Sequence, residues 1–287
     1  MLVSTEWLAA RLGDPAVRAI DVRWSLLDRD KGPNAYREGH VPGAVFLDVN
    51  KDLSGPLGTG PGRHPLPDAR AFARTMSQAG VGAETHVLVY DFGDGSTAAR
   101  LWWLLRRFGH ERVSLLDGGI ARWKAEGRPL ETAVPSHAEG AFVPGPPLED
   151  VLDADAVERM RRDPKALIVD ARAAERYEGR TEPIDPVAGH VPGAKNRPIA
   201  TNVRSADDPR FRPAEELRAE FERLGVGEAE RVVCYCGSGV NACQELFAMR
   251  LAGFDKGRLY AGSWSDWCSD ASRPVAKATT SDTESGR

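Results

Sequence analysis

A chain of 287 residues with 41% hydrophobic and 28% charged content has room for two domains, each with a sizeable core. Its formal charge of −4 gives no overall basic field, which argues against nucleic acid as a partner. The opening Met1-Leu2-Val3-Ser4-Thr5-Glu6-Trp7 lacks a basic stretch leading into a long apolar run, and no later stretch approaches membrane-spanning length, so the expectation is a cytoplasmic protein with no membrane partner.

In chain order, the short apolar runs 17–22, 86–90 and 113–116 read as strands, separated by stretches with helical spacing such as 69–79. Residues 135–147 are rich in Pro, Gly, Ala and Ser and lack either periodicity, which predicts a linker. The alternation then resumes, with strands at 167–170, 231–235 and 258–260 and helices at 214–224 and 241–252. The pattern predicts an α/β fold in which each half is a mainly parallel sheet flanked by helices. The tail 276–287 is polar and is expected to fray.

The two halves repeat one another. Ile20-Asp21-Val22-Arg23 recurs as Val169-Asp170-Ala171-Arg172, and Gly39-His40-Val41-Pro42-Gly43-Ala44 as Gly189-His190-Val191-Pro192-Gly193-Ala194. The run 87–91 matches 232–236, and 115–123 matches 259–267. Matches in one order imply a duplicated domain, placed at 1–134 and 148–275 with the linker between. His40 and His190, like the Asp-x-Arg pairs, occur in both halves and are therefore read as structural.

All four cysteines lie in the last fifth of the chain, the wrong distribution for a disulfide framework, so reduced thiols are expected. Cys234 and Cys243 read as small buried core residues, and Cys268 has no assignable role. Cys236 differs. It ends an apolar strand and is followed by Gly237-Ser238-Gly239-Val240-Asn241 at the start of a helical pattern. Small residues there let the backbone N–H groups of Gly237, Ser238, Gly239, Val240 and Asn241 curl around an anionic sulfur, and the helix start adds partial positive charge. In open α/β sheets sites form beyond the carboxyl ends of strands, where Cys236 falls. Cys236 is read as a nucleophile; the bland alternative is a turn with Cys236 merely buried. No metal constellation follows from the cysteine spacing, and no cofactor is implied.

The Asp-x-Arg after a first strand, the Gly-His-x-Pro-Gly-Ala motif, the cysteine loop and Gly262-Ser263-Trp264-Ser265-Asp266-Trp267 together resemble a tandem-domain rhodanese, a sulfurtransferase, over about residues 3 to 275. The resemblance implies two tandem rhodanese-like domains, the first inactive and the second catalytic; Asp91 occupies the nucleophile's place in the first. It also implies that a cysteine thiolate takes sulfur from a small-molecule donor as a persulfide and passes it to an acceptor such as a thiol, a thioredoxin-like protein or cyanide.

The loop Cys-Gly-Ser-Gly-Val-Asn resembles the Cys-Gly-Ser-Gly-Val-Thr of 3-mercaptopyruvate sulfurtransferases more than the basic loops of thiosulfate enzymes, although Asn241 departs from the usual Thr. Resemblance to that type implies Arg176 as the arginine that holds the donor carboxylate. The second arginine usual in the type is missing where this chain reads Glu182-Pro183-Ile184-Asp185-Pro186, leaving Arg180 as a substitute or a solvated loop residue. The type also implies a Ser-His-Asp relay. Ser238 and His64 match its first two members, while Asn50, flanked by Asp48 and Asp52, stands at the third. The other reading of His64 is a plain loop histidine. Thiosulfate as donor and a non-catalytic rhodanese binding module remain the alternatives. A cysteine phosphatase needs an arginine where this chain has Ala242, and a cysteine hydrolase is disfavoured by the duplicated motifs.

Overall fold

The computed structural model describes residues 1–277. Two compact units make up the chain. The first comprises Met1–Leu57, Leu66–Asp150 and Val203–Arg212; the second comprises Gly58–Pro65, Val151–Asn202 and the described residues from Pro213 onward. The units are thus not the contiguous halves read from the repeats, because two loop segments each group with the unit of the opposite half.

In the first unit the order is β1 (Leu2–Val3), α1 (Thr5–Ala9), β2 (Val17–Asp21), α2 (Lys31–Glu38), β3 (Val45–Phe46), α3 (Ala69–Gln78), β4 (His86–Tyr90), α4 (Ala98–Arg107), β5 (Val113–Leu116) and α5 (Gly119–Ala125). Its sheet runs β1-β5-β4-β2-β3 with every pairing parallel. The second unit repeats this with β6 (Val151–Leu152), α6 (Ala154–Met160), β7 (Ala166–Asp170), α7 (Ala174–Tyr177), β8 (Lys195–Asn196), α8 (Ala214–Leu224), β9 (Arg231–Tyr235), α9 (Asn241–Leu251), β10 (Gly257–Tyr260) and α10 (Ser263–Trp267), in the order β6-β10-β9-β7-β8, again all parallel. Parallel neighbours need crossover connections, so helices cover the faces and the central strands are buried on both sides. Val87 to Tyr90 of β4 and Val232 to Tyr235 of β9 are accordingly inaccessible to solvent. Helix starts are set by side-chain caps where the sequence offers them: Asp68 accepts the Ala71 amide and Asp153 that of Ala156, each at 2.8 Å.

The repeated motifs make the same bonds in each unit. Arg23 forks onto Asp21 and reaches the Gly39 carbonyl at 2.9 Å; Arg172 forks onto Asp170 and reaches Gly189 at 2.7 Å. Tyr36 and His40 stack with ring centroids 3.8 Å apart, and Tyr177 and His190 at 3.7 Å. The tyrosine hydroxyls at the ends of the central strands, Tyr90 and Tyr235, accept the amides of Val41 and Val191. These buried charges and rings pin the loop after the first long strand of each sheet, which is why they recur.

Residues 135–147 form no helix or strand, yet they are fixed to the first unit. Phe142 is buried edge-on against Phe72, and the Gly140 and Gly145 amides bond to Ser77 and Phe108 carbonyls at 2.8 Å. Ala276, the first residue of the expected tail, exchanges backbone hydrogen bonds with His190 at 2.8 and 3.0 Å, as Glu131 does with His40. Residues 278–287 of that tail lie outside the described residues.

Candidate active site

Cys236 is the first residue beyond β9, the central strand of the second sheet, and α9 begins at Asn241. Its peptide unit is held from behind by the start of α10: Ser263 Oγ accepts the Cys236 amide at 3.1 Å, and the Trp264 and Ser265 amides donate to the Cys236 and Gly237 carbonyls at 2.9 Å. Ser263 itself has φ 55, a left-handed conformation that aims its hydroxyl at the loop. In front, the loop turns back so that the Gly239 amide donates to Cys236 Sγ at 3.1 Å. Gly239 has φ +78, and a Cβ there would lie 2.4 Å from the Ala261 carbonyl oxygen, so only glycine permits the turn. Val240 is the N-cap residue and Asn241 the first residue of α9. Cys236 is only 3% exposed, its sulfur resting in a turn with an N–H aimed at it, which suits an anionic sulfur species.

The other three cysteines are also free and buried. Burial pushes the Cys234 thiol well above the ordinary thiol value, and Cys243 Sγ donates to the Gly239 carbonyl at 3.2 Å. Both pack behind the loop.

Residues 58–65 deliver His64 to the loop. Gly62 passes so near the Gly262 carbonyl that a Cβ would lie 2.3 Å from its oxygen, and the Arg63 amide donates to Ser265 Oγ at 2.9 Å. The buried His64 then places Nδ1 2.7 Å from Ser238 Oγ. Asp48 and Asp52 do other work in their own turn: Asp48 accepts the Asn50 and Lys51 amides, and Asp52 the Asp48 amide.

Arginines and carboxylates gather beside Gly237. Arg176 donates to Glu182 at 2.7 Å and to Asp185 Oδ2 at 3.0 Å, while Arg63 donates to Asp185 Oδ1 at 2.6 Å. Glu182 also pairs with Arg172 at 3.3 Å. Burial alone would raise the Glu182 carboxyl, but hydrogen bonds from Arg176 and from the Asp185 and Ile184 amides hold it below its ordinary value. A side chain on residue 237 would begin 3.2 Å from Arg63 Nη2 and 3.4 Å from Arg176 Nη1. Arg180 stands elsewhere, exposed and paired with Glu178.

The corresponding loop of the first unit carries Asp91 in place of a thiol. Its Oδ1 accepts the Gly93 and Gly95 amides at 2.9 and 3.1 Å, and its Oδ2 the Thr97 and Ala98 amides at 3.0 and 3.1 Å. This cradle is filled by a carboxylate of its own chain.

A duplicated parallel sheet, one loop holding a cysteine and its twin an aspartate, invites comparison with known proteins. The model of the rhodanese-like domain matches residues 4–126 and 153–270, once for each unit's repeat. This chain is a tandem-domain member of the rhodanese family of sulfurtransferases. It is 45% identical over 278 residues to a probable 3-mercaptopyruvate sulfurtransferase of Pseudomonas aeruginosa, covering 96% of this chain and 97% of that protein. It is 38% identical over 289 residues to the putative thiosulfate sulfurtransferase SseB of Mycobacterium tuberculosis, covering 97% and 98%. Among solved structures, that of SseA from Escherichia coli, described as a 3-mercaptopyruvate sulfotransferase with the rhodanese fold, superposes with a TM-score of 0.81 at 36% identity, covering 92% of this chain and 98% of the other.

Within this rhodanese frame, the structure brings Cys236, Gly237, Ser238, Gly239, His64 and Arg176 to one place and leaves Arg180 out. Four neighbours escaped the sequence reading. Arg63 carried no motif of its own beyond adjacency to His64, and Glu182 and Asp185 were read only as a missing arginine. Ser263 was part of a recognised motif, but only its backbone conformation reveals the bond to Cys236. Among the described residues no helix is long and apolar enough to cross a membrane.

Proposed function

We propose that the second unit transfers sulfur from 3-mercaptopyruvate through a persulfide on Cys236. The observation that carries this reading is the Cys236 loop itself, a buried sulfur facing the Gly239 amide with Ser238 hydrogen-bonded to a buried His64. Cys236 as thiolate attacks the donor sulfur; an S–S bond forms, the C–S bond breaks, and its electron pair leaves on carbon as the enolate of pyruvate. The donor's thiol proton stays on the new persulfide. The enolate carbon needs one proton, which the Ser238 hydroxyl delivers while His64 replaces it. Arg176 holds the donor carboxylate, and the loop amides of Gly237, Gly239, Val240 and Asn241 hold the Cys236 sulfur first as thiolate and then as persulfide. An acceptor thiolate or cyanide then attacks the outer sulfur and returns Cys236 as thiolate. Four free cysteines fit a reducing compartment, and we assign the protein to the cytoplasm.

The similarity to a putative thiosulfate sulfurtransferase favours thiosulfate as the second reading. Steady-state rates with each donor, using cyanide and a thiol as acceptors, separate the two: kcat/KM is expected to be higher for 3-mercaptopyruvate, and the reverse order would overturn the assignment. Mass spectrometry after donor addition tests the intermediate. Wild-type protein should gain one sulfur and Cys236→Ser none; a silent wild type with every donor points to a binding module.

A further inference from the structure

We propose that Arg63 is the second cation of the donor subsite, holding the carboxylate of an α-keto acid together with Arg176. The inference rests on the sulfurtransfer reading above and names how this chain replaces the arginine absent from its 182–186 segment.

The two guanidinium groups are distant in sequence and converge on one point. Measured from the position where a side chain on residue 237 would start, Arg63 Nη2 is 3.2 Å away and Arg176 Nη1 and Nη2 are 3.4 and 3.6 Å away. Residue 237 directly follows the nucleophile, so an anion held here sits within the reach of a three-carbon donor whose sulfur meets Cys236. Asp185 ties the two cations together, one carboxylate oxygen to each. That shared counter-ion occupies Arg63 Nη1 and Arg176 Nη2, while Arg176 Nε is taken by Glu182. Arg63 Nε is buried with no hydrogen-bond partner, and Arg63 Nη2 and Arg176 Nη1 are not used in these ion pairs. A buried guanidinium nitrogen without an acceptor is costly unless a ligand supplies one. Of the donors left over, Arg63 Nη2 and Arg176 Nη1 face Gly237.

Charge points to the ligand class. Arg63 and Arg176 are balanced by Glu182 and Asp185, and Arg172 by Asp170. The cluster is therefore neutral before the donor arrives and offers directed N–H groups rather than a net positive field. A monoanionic carboxylate with two in-plane oxygens matches that offer better than a dianion, which would leave more uncompensated charge in a buried place.

The test uses the full-length protein, Arg63→Ala and Arg63→Lys, each checked for an unchanged thermal unfolding midpoint. Pyruvate should protect Cys236 from alkylation by iodoacetamide, and uncharged acetone should not. In Arg63→Ala the half-protecting pyruvate concentration should rise about tenfold, and the KM for 3-mercaptopyruvate by a similar factor with kcat changed less than about threefold, as expected for loss of a charge-assisted contact made equally in ground and transition states. Arg63→Lys should fall between, because it keeps the charge and loses the fork. Unchanged half-protection in Arg63→Ala, or no protection of the wild type by pyruvate, overturns the inference. Wild-type protein that pyruvate protects but that does not turn over 3-mercaptopyruvate sinks the donor assignment instead, and the protection data still decide on Arg63.

Discussion

His64 Nδ1 lies 2.7 Å from Ser238 Oγ, with both residues buried and 174 positions apart in sequence. A buried hydroxyl with a histidine as its partner is suited to giving up a proton and being reprotonated. If that pair protonates the departing enolate, Ser238→Ala and His64→Ala should each lower kcat with 3-mercaptopyruvate by about 100-fold, within the range of a general acid. The double variant should be no worse than the poorer single, since the two act as a unit. Thiosulfate needs no carbon protonated, so its turnover should change less. Additive losses in kcat would show that the two act separately.

Asp185 holds Arg63 and Arg176 by opposite oxygens, and its charge keeps the cluster neutral. Asp185→Asn leaves one positive charge in excess beside Gly237. The kcat/KM for dianionic thiosulfate should therefore rise severalfold relative to that for 3-mercaptopyruvate, most clearly at low ionic strength. Measuring both donors at two salt concentrations checks this. A ratio that stays constant would mean that net charge does not select the donor.

Asp91 fills the loop of the first unit. Burial, reinforced by the nearby Asp94 carboxylate, pushes its carboxyl up to about 6 from an ordinary 3.8, against the pull of the amides that bond to it. A raised carboxyl means that the folded chain holds a proton that the unfolded chain has released. Stability from this group is therefore greatest at or below pH 4, falls as pH rises towards 6, and is level above that, by up to about 3 kcal/mol. Asp91→Asn should flatten that part of the profile in urea unfolding at pH 4 and pH 7. A wild-type and variant difference that does not change between those values would rule the effect out.

The duplicated α/β architecture was legible because strands buried over most of their length leave largely apolar runs: 86–90, 113–116 and 231–235 fall on β4, β5 and β9 without adjustment. The two-residue edge strands β1, β3, β6 and β8 were not, since so short a segment has no periodicity to detect. The same limit applies to the site. Cys236 and Ser238 share one loop and one motif, but the grouping of 58–65 with the second unit is a loop packing effect with no pattern in composition. That loop carries both Arg63 and His64.

Ser263 is the non-glycine residue with positive φ among the described residues, and its counterpart in the first unit, Gly119, has φ +52. The serine holds the strained backbone because its hydroxyl accepts the Cys236 amide and donates to the Tyr260 carbonyl at 2.9 Å. Removing the hydroxyl leaves the strain with nothing to offset it. Ser263→Ala should therefore be less stable than Ser263→Gly by about 1 kcal/mol, the reverse of the usual preference for alanine, since only glycine adopts this conformation without a Cβ clash. Both should slow persulfide formation, because an unanchored Cys236 amide lets the sulfur move off the Gly239 N–H. Denaturation midpoints and single-turnover sulfur loading of the two variants measure the two effects separately. If alanine proves the more stable replacement, the strain at residue 263 is not what the hydroxyl offsets.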